Sequence, residues 1–257
     1  MTEAFIFQAA MRDFLRFKRV FVWILVGLGL FGISKVFLSV SPIQDAKESY
    51  SMLSSLLVFR VLPLASAIFS SAVIGQEVEQ KTIVYLLTRP IQRWKLILLR
   101  ILASALAVSL VTIVAMILVS AAVYGNPLAN PLFFRDLMAI VVGSLAYGTL
   151  FVFVTLLMSK AAMVVCLLFA FAWETAVPNM PGSMSMLSIN TYLSAIAQRP
   201  STAQTMGFFG NMANALGINS VSAQTGWIVS LFLILTFGAL AMWWFSTFEF
   251  LPREDAE

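Results

Sequence analysis

Residues 96–124 read LILLRILASALAVSLVTIVAMILVSAAVY and contain one charged side chain, Arg100. The hydrocarbon core of a bilayer is about 30 Å thick, so a helix needs about 20 mostly apolar residues to cross it. This stretch exceeds that length, which leaves the helix room to tilt or to protrude. It therefore predicts a membrane-spanning helix over Leu96–Tyr124.

Five further segments have the same apolar character. They are Val20–Val40, Met52–Gly75, Asp136–Met158, Ala161–Met180 and Gly226–Phe248. Pro63 lies inside the second of them, where its missing N–H is expected to kink the helix or to be compensated by neighbouring groups. The sequence therefore predicts an all-α membrane protein with six transmembrane helices, which form a single domain over residues 1–257.

The composition excludes most soluble enzymes. Of 257 residues, 60% are hydrophobic and 11% are charged, and the mean hydropathy is +0.93, whereas soluble domains are about 45–50% apolar and about 25% charged. The absence of histidine excludes HExxH metalloproteases and Ser-His-Asp catalysis. The one cysteine, Cys166, excludes an internal disulfide and a CxxC site. We expect no catalytic, cofactor-binding or metal-binding residues in this chain.

The basic residues indicate how the helices are oriented. If the N-terminus lies in the cytoplasm, most of the 16 lysines and arginines fall on the cytoplasmic side, while Lys47, Arg135 and Arg199 lie on the outer side. Such an excess on the inner side is typical of membrane proteins. We therefore expect both termini to be cytoplasmic. We attribute the net charge of +4 to membrane orientation and expect no nucleic-acid partner.

Two segments outside the spans have a recognisable character. Residues 3–19 are too charged to cross a membrane, and on a helical wheel they form one polar stripe, made by Gln8, Arg12, Arg16 and Arg19. This pattern predicts an amphipathic helix at the inner interface, with its arginines facing lipid phosphates. The alternative is a basic flank that only orients the first span.

Residues 181–225 form a long outer segment in which Arg199 is the only charge. Its apolar stretches, Tyr192–Ala197 and Met206–Leu216, predict short helices that fold back onto the bundle or into the outer interface as re-entrant structure. The alternative is a disordered loop, although the composition favours order.

The inner connection between the second and third spans is the most informative part of the sequence. Residues 74–95 read IGQEVEQKTIVYLLTRPIQRWK. Glu77 and Glu79 suit the positive end of a helix dipole, and Pro90 ends the helix. We therefore predict a short transverse helix over residues 76–90 at the inner membrane surface. No other part of this chain is available to cover its cytoplasmic face, which indicates a partner protein.

This segment resembles a motif of the permease subunits of ABC-2-type (type V) ABC exporters. The family pattern is I-x-x-E-x-E-x-G-T-x-x-x-L-L-x-x-P-x-x-R-x-x-x-x-x-x-K. The matching positions here are Ile74, Glu77, Glu79, Thr82, Leu86, Leu87, Pro90, Arg93 and Arg100, where Arg100 replaces the final lysine and Lys81 replaces the glycine. The start of the chain, Arg12-Asp13 with Arg16, is similar to that of the nitrous-oxide-reductase maturation permeases.

The resemblance implies a permease of the bacterial cytoplasmic (inner) membrane that works with a separate ABC ATPase. In such exporters the transverse helix is a coupling helix, and two permeases, either two copies or two paralogues, assemble with two ATPase subunits. This chain lacks a GxxxxGK[ST] phosphate loop, so ATP and Mg are expected in the partner and no catalysis in this chain. The expected coupling residues are Glu77, Glu79, Thr82, Leu86, Leu87, Arg89, Pro90 and Arg93. The alternative is that the segment is only a tight interfacial turn.

Two charges lie inside predicted spans. Arg60 and Glu174 are costly in lipid, so they should face the bundle interior or a cavity, and their positions place them at similar depth, where they can pair. One hypothesis is a polar element of a substrate path or an outer gate. The alternative is a structural ion pair, or ions that reach the outer interface.

Other functional classes remain open at this point. An ABC-type membrane subunit can transmit force or a signal without bulk transport. An ion-driven secondary carrier would require internal repeats and more intramembrane ionisable groups, neither of which is evident. A membrane-embedded enzyme would need clustered carboxylates, and the close acidic pair Glu77 and Glu79 lies on the predicted coupling helix.

Overall fold

A computed structural model describes residues 7–8, 10–12, 14, 17–40, 46–73, 92–158, 161–180, 182–199 and 221–247. Within these ranges the fold is helical and contains no strand. The helices are α1 (Phe17–Val40), α2 (Ala46–Leu56), α3 (Val58–Ser71), α4 (Arg93–Tyr124), α5 (Phe133–Leu157), α6 (Ala162–Ala176), α7 (Ile189–Ile196) and α8 (Ala223–Thr247). Short 3₁₀ turns lie at Pro127–Ala129, Val177–Asn179 and Gly182–Leu187.

Five of these helical segments are long and apolar enough to cross a membrane. They are Phe21–Val40, Ala46–Ser71, Arg93–Tyr124, Phe133–Leu157 and Ala223–Thr247. The prediction of an all-α membrane protein is therefore confirmed. The predicted fifth span, Ala161–Met180, coincides with the shorter helix α6, which is about 22 Å long at 1.5 Å per residue. A sixth crossing at this position stays a prediction.

Helix α6 has an irregular backbone. It begins as an α-helix, widens into a π-helical stretch at Phe169–Trp173, and ends at Glu174–Ala176. Pro178 then lies in the 3₁₀ turn, where the chain leaves the helix. π-helical stretches occur frequently at functional sites, and here the stretch immediately precedes the buried residue Glu174.

The second span begins earlier than the sequence predicts. Helix α2 starts at Ala46, whereas the predicted span starts at Met52, because Lys47 and Glu48 made the intervening residues look like a loop. These two charges are exposed, while Ser49 and Tyr50 on the other side of the same turn are buried. An irregular turn at Leu57 separates α2 from α3, and the Leu57 carbonyl accepts from the Val61 amide at 3.0 Å.

Helix α5 occupies the centre of the bundle and packs against α3, α4, α6, α7 and α8. A glycine allows the closest of these approaches. A Cβ placed on Gly143 would lie 2.6 Å from Leu62 Cδ2 of α3 and 2.7 Å from Leu193 Cδ1 of α7. Small residues of this kind let membrane helices approach each other closely.

Several hydroxyl side chains of α4 and α5 donate to a carbonyl of the preceding turn. Ser104 donates to the Ile101 carbonyl at 2.9 Å, Thr112 to the Val108 carbonyl at 2.8 Å, and Thr155 to the Phe151 carbonyl at 2.7 Å. Water is absent from the bilayer core, so polar groups there need partners within the protein. These bonds to the preceding turn let α4 and α5 carry hydroxyls among apolar neighbours.

The described N-terminal residues are helical, and their apolar side faces the bundle. Phe14 is buried, with its ring centroid 5.9 Å from that of Phe69 in α3, and Trp23 stacks on the same Phe69 ring at 5.8 Å. Gln8 and Arg12 are exposed. This division agrees with an amphipathic segment, and its position at the inner lipid interface stays a prediction.

Candidate functional site

The predicted coupling residues from Glu77 to Pro90 lie outside the described residues, so their roles stay predictions. Of that set, the structure describes Arg93, which is the first residue of α4 and is exposed. Gln92, just before it, has an extended backbone and forms the N-terminal cap position of α4.

One contact joins the helices on either side of the coupling segment. The Arg100 Nη1 atom donates to the Val73 carbonyl at 2.6 Å. Val73 lies two residues after Ser71, the last residue of α3, where a cation interacts favourably with the negative end of the helix dipole. The arginine at the last position of the family motif therefore fixes the end of α3 to α4, at the point where the chain enters the coupling segment.

Glu174 lies at the end of α6 and is 1% exposed. Its carboxylate accepts three hydrogen bonds from the start of α7: from Ser188 Oγ at 2.6 Å, from the Ile189 amide at 3.2 Å and from the Asn190 amide at 3.2 Å. The first amides of a helix have no partner within the helix and attract negative charge. Glu174 therefore caps α7 from a different part of the chain.

Arg60 and Glu174 are neighbours, as their predicted depths suggested. Their contact uses the main-chain carbonyl of Glu174 and not its carboxylate. Arg60 Nη1 donates to the Glu174 carbonyl oxygen at 2.6 Å, while the carboxylate caps α7. Arg60 thus holds the C-terminal end of α6 against α3. Whether the two residues serve a structural role or belong to a substrate path stays a prediction.

A second buried cluster is formed by three residues that were not among the predicted site residues. Arg199 Nη2 and Asp136 Oδ2 form a salt bridge at 2.5 Å, and the Tyr50 hydroxyl donates to the same oxygen at 2.6 Å. We call these three residues the Asp136 cluster. Asp136 and Tyr50 are both fully buried, and the Arg199 side chain is 2% exposed.

Aromatic rings and main-chain oxygen complete the environment of Arg199. Its Cζ atom lies 5.4 Å from the Tyr50 ring centroid and 5.1 Å from that of Phe59. Arg199 Nη1 also donates to the Ser51 carbonyl at 3.2 Å. Cation–π contacts gain strength when they are desolvated, so this pocket compensates part of the cost of burying the guanidinium.

The two clusters attach the same outer segment to the bundle. Glu174 holds the N-terminal end of α7, and Arg199 holds the chain three residues beyond its C-terminal end. Between them, the hydroxyl of Tyr192 donates to the Met186 carbonyl at 2.7 Å, and burial raises the pKa of that tyrosine. The predicted helix at Tyr192–Ala197 is therefore present as part of α7, packed on α5 and α8, whereas the stretch Met206–Leu216 lies outside the described residues.

The sequence carried one signal for the Asp136 cluster. Arg199 is the only charge in residues 181–225, and a lone charge in an apolar segment needs a partner or water. The sequence did not show which acid that partner is, because Asp136 lies 63 residues away at the edge of a span. Among the residues that the structure describes, no group of three His, Cys, Asp or Glu side chains could hold a metal ion.

Comparison with known families gives one match. A family model described as ABC-2 family transporter protein matches residues 6–250, which is nearly the whole chain. No curated protein matches the chain.

Proposed function

Because this chain belongs to the ABC-2 transporter family, we propose that it is the transmembrane permease subunit of an ATP-driven exporter, which forms the substrate path and couples to a separate ATPase. The match over residues 6–250 carries this proposal. The absence of a phosphate-binding loop supports the division of labour, because ATP and Mg then belong to the partner.

The coupling segment over residues 76–90 is the proposed docking site for the ATPase. Its acidic pair, Glu77 and Glu79, and its arginines, Arg89 and Arg93, would make charged contacts with the partner. Thr82, Leu86 and Leu87 would pack against it, and Pro90 would end the helix. The contact between Arg100 and Val73 supports this role, because it gives the segment a fixed base on α3 and α4.

The proposed assembly contains a second permease, either a copy or a paralogue, surrounded by membrane lipids. Helix α1 supports this arrangement, because only 17% of the apolar 18-residue stretch within Phe21–Val40 is buried in the protein. The corresponding share for Ala46–Ser71 is 61%. The location is the bacterial inner membrane, with six crossings and both termini cytoplasmic, as the basic residues indicate. The Arg12-Asp13 start supports a position near the nitrous-oxide-reductase maturation permeases.

Affinity purification of the full chain from its native membrane tests this proposal. We expect a Walker-type ATPase to be recovered with the unaltered chain and to be lost in Glu79→Arg and Leu86→Asp variants, since the first reverses a contact charge and the second places a carboxylate in an apolar interface. The matched control is Arg135→Gln, an exposed charge at the opposite end of the bundle, which should retain the ATPase. Recovery of the unaltered chain without any ATPase would contradict the proposal.

A further inference from the structure

We propose that the Asp136 cluster is a releasable latch, which holds the C-terminal half of α7 and the first turn of α8 against α2 and α5. The latch is closed in the structure, with Arg199 on Asp136 and Tyr50. Opening it leaves the N-terminal end of α7 on Glu174, so that α7 pivots about that end. The proposal concerns the motion of this chain alone and does not depend on an ATPase partner.

The contacts of the cluster join parts of the chain that lie far apart in the sequence. Arg199 reaches Asp136 across 63 residues and the Ser51 carbonyl across 148 residues. The backbone amides next to Arg199 bond within their own turn: the amide of Ala197 bonds to the Leu193 carbonyl at 2.9 Å and that of Arg199 to the Ser194 carbonyl at 2.9 Å. The Arg199 side chain is therefore the charged link between this turn and α2 and α5.

Burial makes this link costly to maintain. Two charges that leave water lose their hydration, and the attraction between them offsets the loss only when the remaining donors and acceptors are also satisfied. Within the described ranges, Asp136 Oδ1 and Arg199 Nε have no hydrogen-bond partner. The closed pair is thus incompletely compensated, which reduces the difference in free energy between the closed and open states.

The chain turns at Gln198, between the end of α7 and Arg199, through a left-handed conformation. Gln198 has φ +52°, and it is the one residue other than glycine with a positive φ among those that the structure describes. A left-handed conformation is unfavourable for a side chain with a Cβ and persists when surrounding contacts impose it. At the end of α7 the contacts that impose it are two bonds of the helix end, from the Gln198 amide to the Ala195 carbonyl at 3.0 Å and from the Arg199 amide to the Ser194 carbonyl at 2.9 Å.

The first turn of α8 depends on the same half of α7. A Cβ placed on Gly226 would lie 2.8 Å from the Tyr192 carbonyl oxygen, 3.2 Å from Ile196 Cγ1 and 3.4 Å from Ala195 Cβ. The backbone of α8 therefore rests directly on residues near the latch. When that half of α7 moves, the first turn of α8 loses its packing surface.

Hydrogen–deuterium exchange of the full chain in phospholipid nanodiscs tests the latch. In the unaltered chain, we expect the amides of residues 195–199 to exchange before those of Ile189 and Asn190 and before those of α5. In Arg199→Gln, exchange at residues 195–198 and 226–229 should rise at least tenfold, with α4 and α5 unchanged. The matched control, Arg135→Gln, removes an exposed arginine one residue from Asp136 and should have no effect.

Tyr50→Phe is the second variant, because it removes one hydrogen bond and leaves both charges in place. Tyr50→Phe should raise exchange about threefold in the same residues. If Arg199→Gln does not fold, the result for Tyr50→Phe tests the latch on its own. Unchanged exchange in both variants would overturn the latch. An equal rise in α4 and α5 would also overturn it, since the cluster would then stabilise only the whole bundle.

Discussion

Glu174, a residue of α6, caps the N-terminal end of a different helix, α7. A cap is normally a Ser, Thr, Asp or Asn side chain at the cap position itself, but Ser188 at that position instead donates its hydroxyl to the Glu174 carboxylate. Three hydrogen bonds to one buried carboxylate thus tie α6 to α7. Hydrogen bonds to a charged group are stronger than neutral ones, so this single residue has a large effect on the outer segment.

Glu174→Gln should destabilise the protein. The amide keeps one acceptor oxygen but replaces the other with a donor, which faces the Asn190 amide and the Ser188 hydroxyl and leaves buried groups unsatisfied. We expect a loss of about 1–3 kcal/mol in the free energy of unfolding, measured by thermal unfolding of the full chain in detergent. Glu48→Gln removes an exposed carboxylate and serves as the control. An unchanged unfolding temperature in Glu174→Gln would refute the capping role.

For single residues, the sequence can predict which side chains are neighbours, but not which of their atoms make the contact. The depths of Arg60 and Glu174 in their spans indicate that they are neighbours, and they are. The contact uses a main-chain carbonyl, because the carboxylate is engaged by the amides of α7, and no side-chain pattern encodes that choice. The sequence also did not show that Asp136 is the partner of Arg199, because the two residues meet only in the folded chain.

Close helix contacts decide how the elements pack around α5. Gly226 of α8 approaches the main chain of α7, whereas Gly238 on the same helix has Thr149 Cγ2 at 3.7 Å from its ideal Cβ, which is an ordinary contact. A side-chain atom can move aside at small cost, but a main-chain carbonyl in a packed helix cannot. The two glycines of α8 therefore differ in their tolerance of a methyl group.

Gly226→Ala should disturb the bundle and Gly238→Ala should not. The new methyl of Gly226→Ala meets the Tyr192 carbonyl at 2.8 Å, and overpacking of this kind costs about 1–3 kcal/mol. Gly238→Ala should be neutral or slightly stabilising, because alanine favours helix over glycine by about 1 kcal/mol. Thermal unfolding of both variants measures the difference. Equal unfolding temperatures would show that α7 and α8 are not closely packed.

The elements themselves were largely predictable from apolar runs, and the exceptions have physical causes. The predicted span Leu96–Tyr124 agrees with α4 to within three residues at its start, because its ends are marked by charges and a glycine. The early start of α2 was missed because Lys47 and Glu48 project outward while their neighbours are buried. The π-helical stretch at Phe169–Trp173 has the composition of any apolar helix, so composition gave no indication of it.

In the whole molecule, the helices differ in how much of their surface is buried inside the protein. The central helices α3, α4 and α5 bury their serine and threonine side chains, while α1 and α8 present mostly apolar surface. A helix that is apolar all round in an exposed position requires a lipid or protein environment. The sequence predicts this division only in part, because hydropathy does not distinguish a central span from a peripheral one.

Cysteine labelling in intact cells should establish which end of the bundle faces outward. Leu128 lies in the connection between α4 and α5 and is 74% exposed, and Gln92 lies exposed at the start of α4, at the other end of that helix. If the excess of basic residues marks the cytoplasm, Leu128→Cys should react with a membrane-impermeant maleimide in intact cells. Gln92→Cys should react only after permeabilisation.

The native Cys166 is buried, so the unaltered chain is the background control and should label weakly in both conditions. The opposite pattern, with Gln92→Cys labelled in intact cells, would place the coupling segment outside the cell. An ATPase in the cytoplasm would then have no access to it, and the proposed coupling would fail together with the orientation. Labelling of Leu128→Cys in intact cells would instead place the Asp136 cluster at the outer end of the bundle, where an opening of the latch would change the surface that faces the exterior.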